Sequence, residues 1–185
     1  VASAPAKIIL FGEHFVVYGE PAIVLAIDKR AYATVDRSDD ECLHVRSANL
    51  NLRGYFEEGI FKVEQGDVRE AKLKFEPVRV AVERVLAASK SNVGLDVEIN
   101  STVPVGAGLG SSAAVVAAVT AATGAFLNVK MPKEDVFLVA LEAERVVHGT
   151  PSGVDPAIAT FGGALLFQTD TGFKPLEVKT EIPLV

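Results

Sequence analysis

The 185 residues are 49% hydrophobic and 23% charged, enough to bury a sizeable core and to fit one domain or one domain plus a fragment. A net charge of −6 argues against a nucleic-acid backbone or an anionic membrane as the main partner, because both select for basic patches, yet it leaves local phosphate binding open. The single cysteine, Cys42, permits no internal disulfide and no thiolate metal site, so a reducing cytoplasm is the expected compartment.

The chain opens on a strand-like pattern, without the basic, apolar and small-residue regions of a signal peptide. Residues 4–11, APAKIILF, place Ile8 and Leu10 on one face of a strand and Lys7, Ile9 and Phe11 on the other. A strand lysine is usually a solvated edge residue. One that shares its face with Ile9 and Phe11 is better read as a working, partly desolvated amine. Gly12 breaks the run. A second strand is expected from Ala22 to about Val35 and a third from Leu43 to Arg46, followed by a polar loop with short strands over 47–72. Val78, Val82, Val85 and Leu86 then mark an amphipathic helix over Phe75–Ala88, with Pro77 in its first turn. The alternation of Val93, Leu95, Val97 and Ile99 is a strand.

That strand feeds the stretch PVGAGLGSSAA, residues 104–114. Gly106, Gly108 and Gly110 remove Cβ atoms where a backbone turns sharply or approaches another group, and Ser111 and Ser112 open an alanine-rich helix. Free N–H groups at such a helix start attract anions, phosphate above all, so a nucleotide is the first hypothesis. The plainer account is a strand-to-helix turn with a serine N-cap. Two better-known phosphate loops are excluded by spelling: no lysine precedes the serines, and Ser111 stands where the third glycine of GxGxxG belongs. The apolar run Ala113–Leu127 falls short of a bilayer span and reads as a buried helix.

A further helix is expected from Lys133 to His148, started by Pro132 and stopped by Gly149. Its apolar arc holds Val136, Val139, Ala140, Ala143 and Val147, and Glu144 falls inside that arc. A carboxylate there needs a cation, a metal or several donors, and Lys7 could supply a salt bridge. In the following SGVD, Ser152 and Asp155 have capping-box spacing, which makes Asp155 a helix cap or, next to a phosphate loop, a working carboxylate. GGALLFQ is a strand, with a hairpin around Thr171 and Gly172.

Three blocks in this order, SAPAKIILFGEHFVVYGEPAI, PVGAGLGSSAA and ERVVHGTPSGVDPAIATFGG, resemble the GHMP kinases, and within them the branch that phosphorylates mevalonate. Lysine followed by ILFGEHFVVYG separates that branch from galactokinases, where an arginine and a GEHTDYNGG-like run are expected, and from the diphosphomevalonate decarboxylases, which lack the lysine. The resemblance implies an α+β fold of the GHMP kinase N-terminal type, a mixed or antiparallel sheet packed with helices. It implies ATP phosphates on Pro104, Val105, Gly106, Ala107, Gly108, Leu109, Gly110, Ser111, Ser112, Ala113 and Ala114, and Mg²⁺ on Ser112 and Glu144. Asp155 and Lys7 would be catalytic, and Glu13 and His14 would join them in the mevalonate pocket. The full-length form would be a homodimer. Ala6 stands where the family usually has glycine, and the superfamily's C-terminal glycine-rich block is missing. Residues 1–185 are thus expected to be the N-terminal, ATP-binding and catalytic domain of a longer kinase, inactive as an isolated piece. The alternatives are another GHMP small-molecule kinase or a nucleotide-binding sensor of the same fold without turnover.

Overall fold

A computed structural model describes residues 1–104, 106–149 and 151–178. Eight strands form one mixed sheet: β1 (Ala2–Phe11), β2 (Ala22–Arg37), β3 (Leu43–Ser47), β4 (Leu52–Glu57), β5 (Ile60–Gln65), β6 (Leu95–Ser101), β7 (Ala164–Gln168) and β8 (Gly172–Leu176). The spatial order is β5-β4-β3-β6-β2-β7-β8, with β1 paired to β2. Among the described residues only β3 and β6 run parallel; the other pairs are antiparallel. Four helices, α1 (Val68–Ser89), α2 (Ser111–Phe126), α3 (Lys133–His148) and α4 (Val154–Phe161), complete the α+β fold.

The sheet is organised by its longest strand. β2 pairs along its length with β1, through its C-terminal half with β6, and through its N-terminal end with β7. Between Pro5 and Lys7 the pairing with β2 shifts register, jumping from Arg30 to Ala26 across a single residue, Ala6. A bulge of this kind re-aims the side chains that follow it. Ala6 is 1% exposed and is not among the positive-φ residues, so alanine is sterically adequate there.

α1 is longer than expected because its first two turns are polar on the surface, where periodicity carries little signal. Asp67 caps it by accepting from the Glu70 N–H at 2.9 Å, and Lys90 ends it in the left-handed region. Pro77 therefore lies inside the helix rather than in its first turn, where it deletes one backbone hydrogen bond. Burial of Phe75, Val78, Val82 and Val85, each contributing roughly 1.5–3 kcal/mol, offsets that loss. The short strands expected over 47–72 are β4 and β5, whose charged residues, such as Arg53 with Glu64, pair on the exposed face. Phe11, expected to share a covered face with Lys7, is 69% exposed.

The main core lies between the sheet and α1, α2 and α3, and a smaller one joins α4 to β2 and β7 through Val24, Ile158 and Leu165. The small side chains of α2 (Ala113, Ala114, Ala117, Ala118) are buried, which lets this helix lie close to the sheet and its neighbours. Among the described residues, no helix is long and apolar enough to cross a membrane.

Candidate active site

The loop between β6 and α2 is shaped by three left-handed glycines, with φ of +73° at Gly106, +69° at Gly108 and +68° at Gly110. L side chains rarely adopt such angles, so the alternate spacing in the sequence corresponds to a real backbone demand. Gly110 is the N-cap of α2 and provides no side-chain cap, and the Ala114 N–H is the first to return to it, at 3.1 Å. The serine N-cap weighed above is thus not made. The N–H groups of Ser111, Ser112 and Ala113 have no partner within the helix and carry its positive end. Val105 falls outside the described residues.

β1 reaches the same point from the other side. The Lys7 N–H donates to the Leu109 carbonyl at 3.0 Å, tying β1 to the glycine loop. The lysine side chain, 8% exposed, places Nζ 3.3 Å from Oδ1 of Asp155. Lys7 is therefore the desolvated amine expected from its neighbours, but its anion is Asp155, not Glu144. Asp155 sits in the first turn of α4 without capping it: Gly153 occupies the N-cap position, and Ser152 Oγ accepts from the Val154 N–H at 3.4 Å instead. The capping-box account is thereby corrected. A Cβ built on Gly110 would lie 3.0 Å from Cγ of Lys7 and 3.3 Å from Oδ2 of Asp155. Loop, amine, carboxylate and two helix N-termini converge in a few ångströms.

Glu144 approaches from α3. Burial, then the negative charge of Asp155, pushes its carboxyl up to about 7, while Lys7 opposes this. Its Oε2 is buried without a hydrogen-bond partner. An orphaned carboxylate oxygen next to a phosphate-type loop fits a hard, oxygen-seeking cation such as Mg²⁺. Ser112, exposed in the first turn of α2, offers a hydroxyl oxygen; no hydrogen bond joins it to Glu144 among the described residues. Glu13 and His14 are exposed in the turn after β1, where the His14 ring packs edge-on against Phe15 and Tyr18. Neither is hydrogen-bonded to the Lys7–Asp155 pair.

The state of Glu144 gives a stability prediction. Because its folded-state pKa is raised, the native protein holds a proton between about pH 4.5 and 7 that the unfolded chain has released, and stability falls as pH rises through that window. The loss should be about 1–3 kcal/mol once partial solvent screening is allowed for. Urea unfolding of wild type and Glu144→Gln at pH 5 and pH 8 checks this: the variant should lack that part of the pH dependence, and parallel curves would show that Glu144 does not titrate there.

Sequence reasoning missed a cavity beside the loop. It encloses about 100 Å³ between α1, β6 and α2 and is lined by Asn49, Leu50, Lys74, Pro77, Val103 and Ser112, among others. Its wall comes from segments far apart in sequence, and of its lining only the loop residues Gly106, Ser111 and Ser112 carried a signal in the chain.

Residues 76–163 match the model of the GHMP kinases N terminal domain. The chain is 40% identical over 190 residues to the mevalonate kinase of Pyrococcus horikoshii, covering 100% of this chain and 55% of that protein. It is 40% identical to the mevalonate kinase of Archaeoglobus fulgidus, covering 99% of this chain and 55% of the relative. The crystal structure of L. major mevalonate kinase in complex with R-mevalonate superposes with a TM-score of 0.72 at 29% identity, over 94% of this chain and 51% of that one. The Methanococcus jannaschii mevalonate kinase shares the fold, with a TM-score of 0.78 at 24% identity, over 96% of this chain and 55% of that one. The chain thus spans about half the length of the curated relatives it matches.

Proposed function

We propose that residues 1–185, of which 76–163 match the N-terminal domain of the GHMP kinases, are the ATP-binding and catalytic domain of an enzyme that phosphorylates mevalonate at its primary hydroxyl to give 5-phosphomevalonate. The observation that supports this most is the convergence of Lys7, Asp155 and Gly110. The similarity to mevalonate kinases over the whole chain supports the choice of alcohol.

In this reading the unpaired N–H groups of α2 hold phosphate oxygens, and the cavity lined by Asn49 and Pro77 accepts the nucleobase. Asp155 takes the proton of the substrate hydroxyl, whose oxygen then forms a bond to the γ-phosphorus as the β–γ bridge bond breaks and ADP departs. Lys7 Nζ, beside Asp155, stabilises the oxygen as it gains negative charge. Its burial strengthens that field, since little water screens it. Glu144 and Ser112 would hold Mg²⁺, which when bound neutralises triphosphate charge. Glu13 and His14 would border the mevalonate side of the cleft. The whole protein would act on a small alcohol as a cytoplasmic homodimer, with no nucleic-acid or membrane partner.

Assay of ADP release by the full-length protein against mevalonate, phosphomevalonate, homoserine and galactose tests the proposal. Mevalonate should have the highest kcat/KM. Preference for another alcohol would reassign the substrate, and ATP binding with turnover of none would establish the sensor alternative. Within the same assay, Glu144→Gln and Ser112→Ala should each raise the Mg²⁺ concentration needed for half-maximal rate several-fold. Unchanged Mg²⁺ curves would remove both residues from the metal site.

A further inference from the structure

The loop joining β2 to β3 brings together three side chains that the phosphate site does not use. Asp40 and Cys42 lie in the bend before β3 and His44 is the second residue of β3; the Cys42 N–H donates to Asp40 Oδ1 at 2.9 Å, a turn that brings the three side chains to one side. Their ligand atoms, a carboxylate oxygen, Sγ and a ring nitrogen, all lie within 4.8 Å of one another. His44 Nε2 is 3.0 Å from both carboxylate oxygens of Asp40. In a tetrahedral zinc site, ligand–metal distances of about 2.0–2.3 Å place donor atoms roughly 3–4 Å apart, so small side-chain movements would seat an ion.

The backbone beneath these donors is fixed independently of them. The Ser38 N–H donates to the Gly94 carbonyl at 3.0 Å, and the Leu95 N–H donates to the Cys42 carbonyl at 3.0 Å. Gly94 is packed so tightly that a Cβ there would lie 1.9 Å from the Asp40 carbonyl oxygen and 2.9 Å from that of Cys42. The loop is clamped to the start of β6. The His44 ring is packed against Tyr55, with centroids 5.3 Å apart. Asp40 is exposed and Cys42 and His44 are partly so, which leaves an entry path.

We propose that Asp40, Cys42 and His44 form a binding site for a borderline divalent transition-metal ion of the Zn²⁺ class, with a fourth position open to water. One cysteine cannot build a thiolate cage, but a mixed set of one sulfur, one nitrogen and one oxygen is a recognised zinc donor combination. Binding releases the thiol proton of Cys42 to solvent and replaces the His44–Asp40 hydrogen bond by two bonds to the metal, the proton that His44 Nε2 donates to Asp40 passing through solvent to Nδ1. Thiolate and carboxylate then balance the two charges of the ion, which suits a partly covered site. Sulfur and nitrogen donors disfavour Mg²⁺, so this ion would not compete for the kinase cation. Seven residues of β6 separate the clamp at Leu95 from the glycine loop, about 20 Å, so the proposal does not rest on the kinase reading.

The test uses Co²⁺ as the spectroscopic probe and Zn²⁺ as the competitor, with chelator-treated, reduced protein. Because Cys42 is the only cysteine, a thiolate-to-cobalt charge-transfer band can come from nowhere else in the chain. One equivalent of Co²⁺ should produce the band, Zn²⁺ should erase it, and Cys42→Ser should never show it. His44→Gln and Asp40→Asn, on the exposed side of the loop, should keep the band but bind about tenfold or more weakly. Absence of the band in the wild type would overturn the site. So would a band whose metal affinity is unchanged in both His44→Gln and Asp40→Asn, since it would then report a lone thiol.

Discussion

Asp155→Asn in the full-length protein is expected to lower kcat by roughly 10²-fold or more while leaving ATP affinity within a few-fold, the typical signature of a lost general base. The amide keeps the size of the carboxylate but cannot accept a proton. It also leaves Lys7 Nζ without the anion that sits 3.3 Å away. A buried amine without a partner would normally threaten the fold. Here Glu144 offers relief: the negative charge of Asp155 is one of the causes holding its carboxyl up to about 7, so removing that charge lets Glu144 ionise more readily and take over as counter-ion. The variant should therefore fold, and the pH dependence of its unfolding attributable to Glu144 should move to lower pH. Steady-state kinetics, ATP binding and urea titrations at several pH values read all three expectations. Near-normal turnover would return Asp155 to the role of a structural ion-pair partner.

Gly110→Ala should cost about 10- to 100-fold in kcat, because it disturbs the geometry of the lysine–aspartate pair rather than its chemistry. At φ +68° an alanine carries left-handed strain on the order of 1 kcal/mol. In addition, its methyl group would meet Lys7 Cγ at 3.0 Å and Asp155 Oδ2 at 3.3 Å, tighter than ordinary van der Waals contact, so one of the two must shift by a few tenths of an ångström. Gly108→Ala is the matched control: its φ of +69° brings the same backbone strain, but among the described residues no atom outside its chain neighbours lies within 4 Å of its Cβ position. That methyl group projects into open space beside the loop proposed to hold the triphosphate, so it should act mainly on KM for ATP. Comparing kcat and KM for the two variants separates the effects. Equal losses of kcat at both positions would mean that backbone strain alone matters and that Gly110 has no special relation to the pair.

Much of the site was legible in the chain because its residue types are rarely used for anything else in those surroundings. Three glycines at alternate positions announced left-handed turns, and Gly106, Gly108 and Gly110 all adopt them. Lys7 among apolar neighbours announced a desolvated amine, and it is 6% exposed. Glu144 within an apolar arc announced a carboxylate under stress, and burial raises its pKa. Pro132 and Gly149 bracket α3 as their backbone preferences require.

Which of these groups meet was decided by tertiary structure. From spacing alone Lys7 could have paired with Glu144, and Asp155 could have capped its own helix with Ser152. The bulge at Ala6 and the N-terminus of α4 bring Lys7 and Asp155 together instead. Phe11 lost its place in the core because the register of β1 against β2 shifts again between Ile9 and Phe11, a pairing property that no local pattern encodes. The first turns of α1 escaped detection because charged surface residues carry no periodicity of their own, while β4 and β5 are the short strands expected over 47–72. The cavity of Asn49, Lys74 and Val103 exists only once β3 lies parallel to β6, whereas the closeness of Asp40, Cys42 and His44 comes from a local bend in which the Cys42 N–H donates to Asp40 Oδ1. Local sequence sets what each residue can tolerate, through sterics and solvation. Long-range pairing sets which tolerances coincide in space, and chemistry requires that coincidence.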